Sequence, residues 1–166
     1  MTGVQTCALP IYFYPDANST MRLSFGTVCG YTPFDGAEYD YYTTTKGVLE
    51  KVKAHVGDVD FAVQPELVSL LSSRNFGRYA DEKGEMKVCF ISNNDITGGN
   101  SGSAMFNSKG ELLGLAFDGN WEAMSSDILY EPKMQRTIGV DVRYILFMIE
   151  KYGKAGNLIK ELNIIN

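Results

Sequence analysis

Hydrophobic and polar positions alternate with a period of two through much of this chain, and helical spacing takes over near its end. From Met21 to Tyr31 the alternation predicts a strand with Leu23, Phe25, Thr27 and Cys29 on one face. Pro33, Asp35 and Gly36 then make a turn. Gly47 to Lys53 starts a helix that Gly57, Asp58 and Asp60 interrupt, and Pro65 to Ser72 forms a short helix with proline in its first turn. Asn75 to Glu85 is a charged loop. Met86 to Ser92 is a strand, and Ala104–Phe106 and Leu112–Phe117 are two more, joined by the turn Asn107-Ser108-Lys109-Gly110. Gly119 to Asp127 is a loop with the single tryptophan, and Thr137–Val140 is a last strand. Asp141 then caps a helix whose Val142, Ile145, Leu146 and Ile149 share one face. Gly153 ends it, and a last helical turn or two covers Leu158, Ile159 and Leu162. The pattern predicts a mainly β fold with a C-terminal α-helix.

Composition narrows the function classes. At 166 residues the chain has room for one domain with a core. A net charge of −5 leaves no basic footprint, so nucleic acid is not an expected partner. No apolar run reaches bilayer length; the best stretch, Val140 to Ile149, is interrupted by Asp141 and Arg143. Residues 1–11 (MTGVQTCALPI) lack the basic start and cleavage site of a signal peptide. They resemble translated sequencing-adapter DNA behind a start codon and are read as non-native, so natural sequence is expected from Tyr12. That leaves Cys29 and Cys89, both in strand-like apolar contexts and read as buried free thiols. One histidine and two distant cysteines make no zinc site, and no metal or cofactor is expected.

The chemistry concentrates in Thr97-Gly98-Gly99-Asn100-Ser101-Gly102-Ser103, which resembles the nucleophile loop of trypsin-like serine peptidases. Acyl transfer needs an exposed hydroxyl beside two N–H donors about 3 Å from the developing oxyanion. Ser101 is the candidate nucleophile, and the N–H groups of Gly99 and Ser101 are the candidate oxyanion donors. The loop lies between strands, as a barrel active-site loop should. It is not a phosphate loop, because Gly102 is followed by Ser103 and Ala104 rather than by Lys-Ser/Thr.

A more specific resemblance covers the chain from Tyr12 onward. Asn93 to Ser103, Phe117-Asp118-Gly119-Asn120-Trp121-Glu122-Ala123-Met124-Ser125, Gln135 to Ile138 and Val140 to Tyr144 are similar to segments of the bacterial dipeptidyl-peptidase 7/11 family. So are Gly30 to Pro33, Asp40 to Thr44 and Phe76 to Asp81. The resemblance implies part of a trypsin-like double β-barrel, its C-terminal barrel, in residues 12–166. It implies a serine-type enzyme that releases dipeptides from peptides with a free N-terminus, located in the periplasm or on the surface of a Gram-negative cell, and a possible homodimer. By the same resemblance Ser101 is the nucleophile and Asp118 binds the substrate's α-amino group. Gly119 takes the position at which arginine favours acidic side chains before the cut. Glycine there implies an apolar preference.

Two alternatives stay open on the residues. Asp95, six residues before Ser101, either satisfies loop N–H groups or sets a basic specificity. A chain without a base is either part of a peptidase or a non-catalytic peptide-binding module. The one histidine, His55, matches no family motif and reads as a solvated surface residue, so the triad histidine and aspartate are expected upstream of Tyr12. The 166 residues alone are expected to be inactive and to expose apolar strand edges.

Overall fold

The computed structural model describes residues 21–126 and 129–165. The expectation for residues 1–11 lies outside them. Five antiparallel strands form one sheet: β1 (Tyr42–Thr44), β2 (Lys87–Ser92), β3 (Ala104–Phe106), β4 (Leu112–Gly119) and β5 (Thr137–Asp141). Their spatial order is β1-β2-β5-β4-β3, so β5 enters between β2 and β4 rather than extending the hairpin. Gly139 of β5 faces Phe90 on one side and Ala116 on the other, which fixes both registers at the sheet's centre.

Among the helices, α1 packs beside β1, and α3 packs against β2, β4 and β5. α1 (Thr45–Ala54) begins where the Thr45 N–H donates to the Met86 carbonyl at 3.1 Å. It ends, as predicted, before Gly57, and the Asp58 carboxylate caps a 3-10 turn over Val59–Phe61. α2 (Pro65–Ser72) carries proline at its first turn, where a missing N–H costs nothing. α3 (Val142–Phe147) starts from Asp141, whose side chain accepts from the Arg143 N–H at 2.9 Å. It widens into a π-helical turn over Met148–Tyr152, and α4 (Gly156–Ile159) follows.

The core lies between these helices. Leu71, Phe76, Tyr79, Met86, Leu146, Phe147 and Ile159 form one buried cluster. Phe147 stands outside the predicted apolar stripe of α3 and is nonetheless fully buried. α3 touches the sheet on one side and the 3-10 turn Gly77–Tyr79 on the other, so two of its faces are covered. That turn lies inside the predicted charged loop, where it buries Phe76 and Tyr79.

Two expectations need correction. The strand predicted over Met21 to Tyr31 does not form; only isolated bridges occur, Val28 with Ser92 and Tyr31 with Tyr39. Leu23 and Phe25 are exposed at 84% and 89%. The segment is held by two backbone bonds, Cys29 N–H to the Ile91 carbonyl at 3.3 Å and Asn93 N–H to the Thr27 carbonyl at 3.0 Å, and by the side chains of Arg22, Ser24 and Asn93, a ladder too short to impose period-two burial. Cys29 and Cys89 are free but only half-buried, and burial raises the Cys89 thiol above its ordinary value. Among the described residues no helix is long and apolar enough to cross a membrane.

Candidate active site

The loop between β2 and β3 carries the predicted nucleophile. Thr97 and Asn100 set its shape. The Asn100 side-chain oxygen accepts from the Thr97 N–H at 3.0 Å, and the Asn100 N–H returns to the Thr97 carbonyl at 3.2 Å. The turn this closes needs left-handed backbone, which Gly99 supplies at φ 95° and Gly102 at φ 83°. The far end of the loop docks on β4: Gly102 N–H donates to the Ala116 carbonyl at 2.7 Å, and Ala116 N–H to the Ser103 carbonyl at 2.9 Å.

The Ser101 side chain is exposed, and its hydroxyl donates to the Phe117 carbonyl at 3.3 Å. Phe117 sits where the β4–β5 register slips between Ala116 and Asp118. The bulge bends β4 and directs its last residues to the same end of the sheet. Neither the Gly99 N–H nor the Ser101 N–H is engaged by another described residue, so both donors are available. The structure therefore brings Gly99 and Ser101 into one exposed loop and ties that loop to the strand that carries Asp118 and Gly119.

Asp118 is exposed, and its carboxylate accepts from the Gly119 N–H at 2.8 Å. Gly119 has no room for a side chain: a Cβ there would lie 2.8 Å from the Ala123 Cβ and 4.0 Å from Ile96. The 3-10 turn Trp121–Ser125 thus closes tightly against β4 at Gly119. Behind it, the Asn120 side chain bonds Glu122 and the Met134 carbonyl, both at 2.8 Å, and accepts from the Arg136 N–H at 2.8 Å. The Tyr31 hydroxyl donates to Glu122 at 2.9 Å. Burial first, with the Glu122 carboxylate adding to it, raises the Tyr31 phenol above 10.0.

Arg136 is 5% exposed and faces carbonyls instead of a carboxylate. It donates to Pro132 at 2.8 Å, Gln135 at 2.7 Å and Gly30 at 2.9 Å, with its guanidinium 5.3 Å from the Tyr31 ring. These bonds lock the 129–136 segment to residues 30–31 behind the Asp118–Gly119 corner. Nothing in the local hydrophobic pattern signals this role.

Asp95 pairs with Arg22 at 2.8 Å, and both side chains are mostly buried. His55 is exposed at the C-cap of α1, with its ring stacked on Phe61 at 4.0 Å and Nδ1 on the Lys51 carbonyl at 3.0 Å. No imidazole among the described residues is within hydrogen-bond reach of Ser101.

Three comparisons bear on this site. A family model described as Peptidase S46 matches residues 7–164. Dipeptidyl-peptidase 7 of Porphyromonas endodontalis is 60% identical over 150 residues, which cover 90% of this chain and 18% of that protein. An Asp/Glu-specific dipeptidyl-peptidase of Capnocytophaga gingivalis is 47% identical over 152 residues, covering 92% of this chain and 21% of that one. The crystal structure of Porphyromonas endodontalis DPP11 in complex with the dipeptide Arg-Glu superposes with a TM-score of 0.79 at 42% identity, over 83% of this chain and 20% of that one. The chain spans about a fifth of the length of the proteins it matches.

Proposed function

Because the chain belongs to the peptidase S46 family, we propose that it forms the nucleophile-bearing part of a serine-type dipeptidyl-peptidase, folded as part of the C-terminal barrel of a trypsin-like double barrel. The carrying observation is the Ser101 loop: an exposed hydroxyl, two unengaged N–H groups beside it, and glycine backbone that aims them. In this reading the hydroxyl attacks the scissile carbonyl, and the Gly99 and Ser101 N–H groups stabilise the oxyanion. A histidine that the remaining four fifths of such a protein would supply, with its orienting aspartate, takes the hydroxyl proton and gives it to the leaving amine, and water then hydrolyses the Ser101 ester to release the dipeptide. Asp118 pairs with the substrate's α-ammonium and so measures two residues from the free N-terminus.

The apolar Ala123 and Ile96 side chains that crowd Gly119 support an apolar preference for the residue before the cut. Higher identity to a relative named dipeptidyl-peptidase 7 than to one named Asp/Glu-specific supports it too. A basic specificity set by Asp95 is disfavoured, because Arg22 already neutralises that carboxylate. The reading includes location in the periplasm or on the cell surface and a homodimer, which fractionation and light scattering of the full-length protein test.

The decisive experiment places residues 21–165 in the corresponding segment of Porphyromonas endodontalis dipeptidyl-peptidase 7. The chimera should release dipeptides from a peptide amide with a free N-terminus and an apolar second residue, and not from its N-acetylated form. Ser101→Ala should lower kcat by about 10⁴-fold or more. An unchanged kcat in Ser101→Ala would favour a non-catalytic, peptide-binding role for this segment. The 166 residues alone should show no turnover.

A further inference from the structure

The segment that fails to form a strand has another use. Residues 22–29 run along residues 91–97 as a strap. The Thr27 N–H donates to the Asn93 side chain at 2.6 Å, and the Asn93 N–H to the Thr27 carbonyl at 3.0 Å. The Ser24 hydroxyl donates to the Asp95 carbonyl at 2.8 Å. Gly26 lies so close that a Cβ would be 2.5 Å from the Asn94 nitrogen. At the end of the strap, one arm of the Arg22 guanidinium holds Asp95 at 2.8 Å and the other donates to the Thr97 hydroxyl. Thr97 in turn engages the Asn100 side-chain oxygen through its N–H at 3.0 Å and its hydroxyl at 3.4 Å. Asn100 is bonded between the two oxyanion donors Gly99 and Ser101.

We propose that Arg22 is a positioning residue for the reaction: its fork fixes Thr97 and Asn100 and so aims the Gly99 and Ser101 N–H groups at the oxyanion. The inference rests on the serine-peptidase reading of Ser101. Arg22 touches no reacting atom. Its planar fork reaches two acceptors at once, which a lysine ammonium on a flexible stem cannot reproduce with fixed geometry. Asp95 has the matching part: it anchors the guanidinium so that the second arm points at the loop. Because the donors must lie within a few tenths of an ångström of their target, loosening the fork should act on kcat and not on substrate binding.

The test uses the full-length chimera and five variants: Arg22→Lys, Arg22→Met, Thr97→Val, Ser101→Ala and the double variant Arg22→Met/Thr97→Val. Readouts are kcat and KM for a dipeptidyl amide, the second-order rate of Ser101 labelling by a fluorophosphonate, and Tm. Arg22→Met should lower kcat and labelling together by about ten- to a hundredfold, with KM changed less than about twofold. Thr97→Val, which keeps the ion pair and nearly the same shape, should give the same signature with Tm held. Arg22→Lys should recover Tm but not kcat, and the Arg22→Met/Thr97→Val double variant should be no slower than the slower single one. The proposal is overturned if Thr97→Val and Arg22→Lys keep full kcat, or if losses appear in KM or only in step with lost folded protein. Labelling that persists in Ser101→Ala removes the serine-peptidase reading, and the proposal falls with it.

Discussion

The helical side of this molecule and its Ser101 end are built by opposite means. Between α1, α2, α3 and the Gly77–Tyr79 turn, Phe147 and Met86 are fully buried and Leu71 is 1% exposed. Phe147 meets Phe76 and Tyr79 edge-on at 5.7 and 6.1 Å. At the other end the loop is exposed, Trp121 and Met124 stand in solvent, and the order comes from glycines, side-chain amides, the buried Arg136 and the mostly buried Arg22. Apolar burial is proportional to area and indifferent to direction. Hydrogen bonds place an atom to within tenths of an ångström. The chain places its apolar residues in a rigid platform and its polar ones where they fix the shape of the Ser101 loop.

The widest gap between the two regions should appear in stability. Phe147→Ala removes a fully buried ring with two aromatic neighbours and should cost about 3–5 kcal/mol in urea unfolding, enough to threaten folding altogether. Trp121→Ala, a larger truncation on paper, should stay within about 0.5 kcal/mol of wild type. Similar costs for the two would erase the distinction between platform and site.

A second effect lies at the boundary. Gly119→Arg puts a Cβ 2.8 Å from Ala123 and must push the 3-10 turn off β4, an overpacking penalty of about 1–3 kcal/mol. In the chimera the single variant should lose activity on apolar substrates without gaining much on acidic ones. Adding Ala123→Gly opens the space, and the ratio of kcat/KM for glutamate over leucine before the cut should then rise. If the single variant switches preference as fully as the double, Ala123 does not restrict this corner.

How much of this was legible follows from the same division. β2, the β3–β4 hairpin, β5, α2 and the Asp141 cap each announce themselves within ten residues, and the structure has them nearly at the predicted bounds. Gly99, Ser101, Asp118 and Gly119 were legible as a loop and a motif. The strap was not. Its alternation of Leu23, Phe25, Thr27 and Cys29 reads as a strand, but its bonds are to residues about 70 positions away, and a local period carries no word of them. Phe76 and Tyr79 were hidden for a related reason: two aromatics spaced around a glycine at φ 56° make no period, and the charged neighbours dominate the pattern.

A smaller effect concerns pH and belongs to the platform. The Tyr79 hydroxyl donates to Glu150 in the π-helical turn, with Arg78 beside both. That hydrogen bond first, and the neighbouring cations after it, hold the Glu150 carboxyl below 4.5. Its contribution to stability is therefore present above 4.5 and lost as pH falls through the lower folded value. Burial first, then Glu150, raises Tyr79 above 10.0. That contribution is complete below 10 and lost as pH rises through the folded value. Glu150→Gln should flatten the acid side of a stability profile without abolishing it. Asp81 is also lowered, chiefly by the Glu85 N–H, and still titrates. Urea midpoints from pH 3 to 7 read the slope; an unchanged slope would remove Glu150 from the acid response.

The smallest expected effect is at His55, the residue a search for a general base would reach first. It caps α1 on the helical side, where its ring covers Phe61 and its Nδ1 faces the Lys51 carbonyl, both at the surface. A base must reach the proton it removes, and the Ser101 hydroxyl meets only the Phe117 carbonyl among the described residues. His55→Gln keeps a flat polar group over Phe61 and should leave stability within about 0.5 kcal/mol. In the chimera the acid limb of the kcat/KM profile should be unmoved, because His55 makes its contacts to Lys51 and Phe61 and none to Ser101. Loss of that limb in His55→Gln would mean that the platform reaches into the chemistry, and that the two halves of this molecule are not divided as their packing divides them.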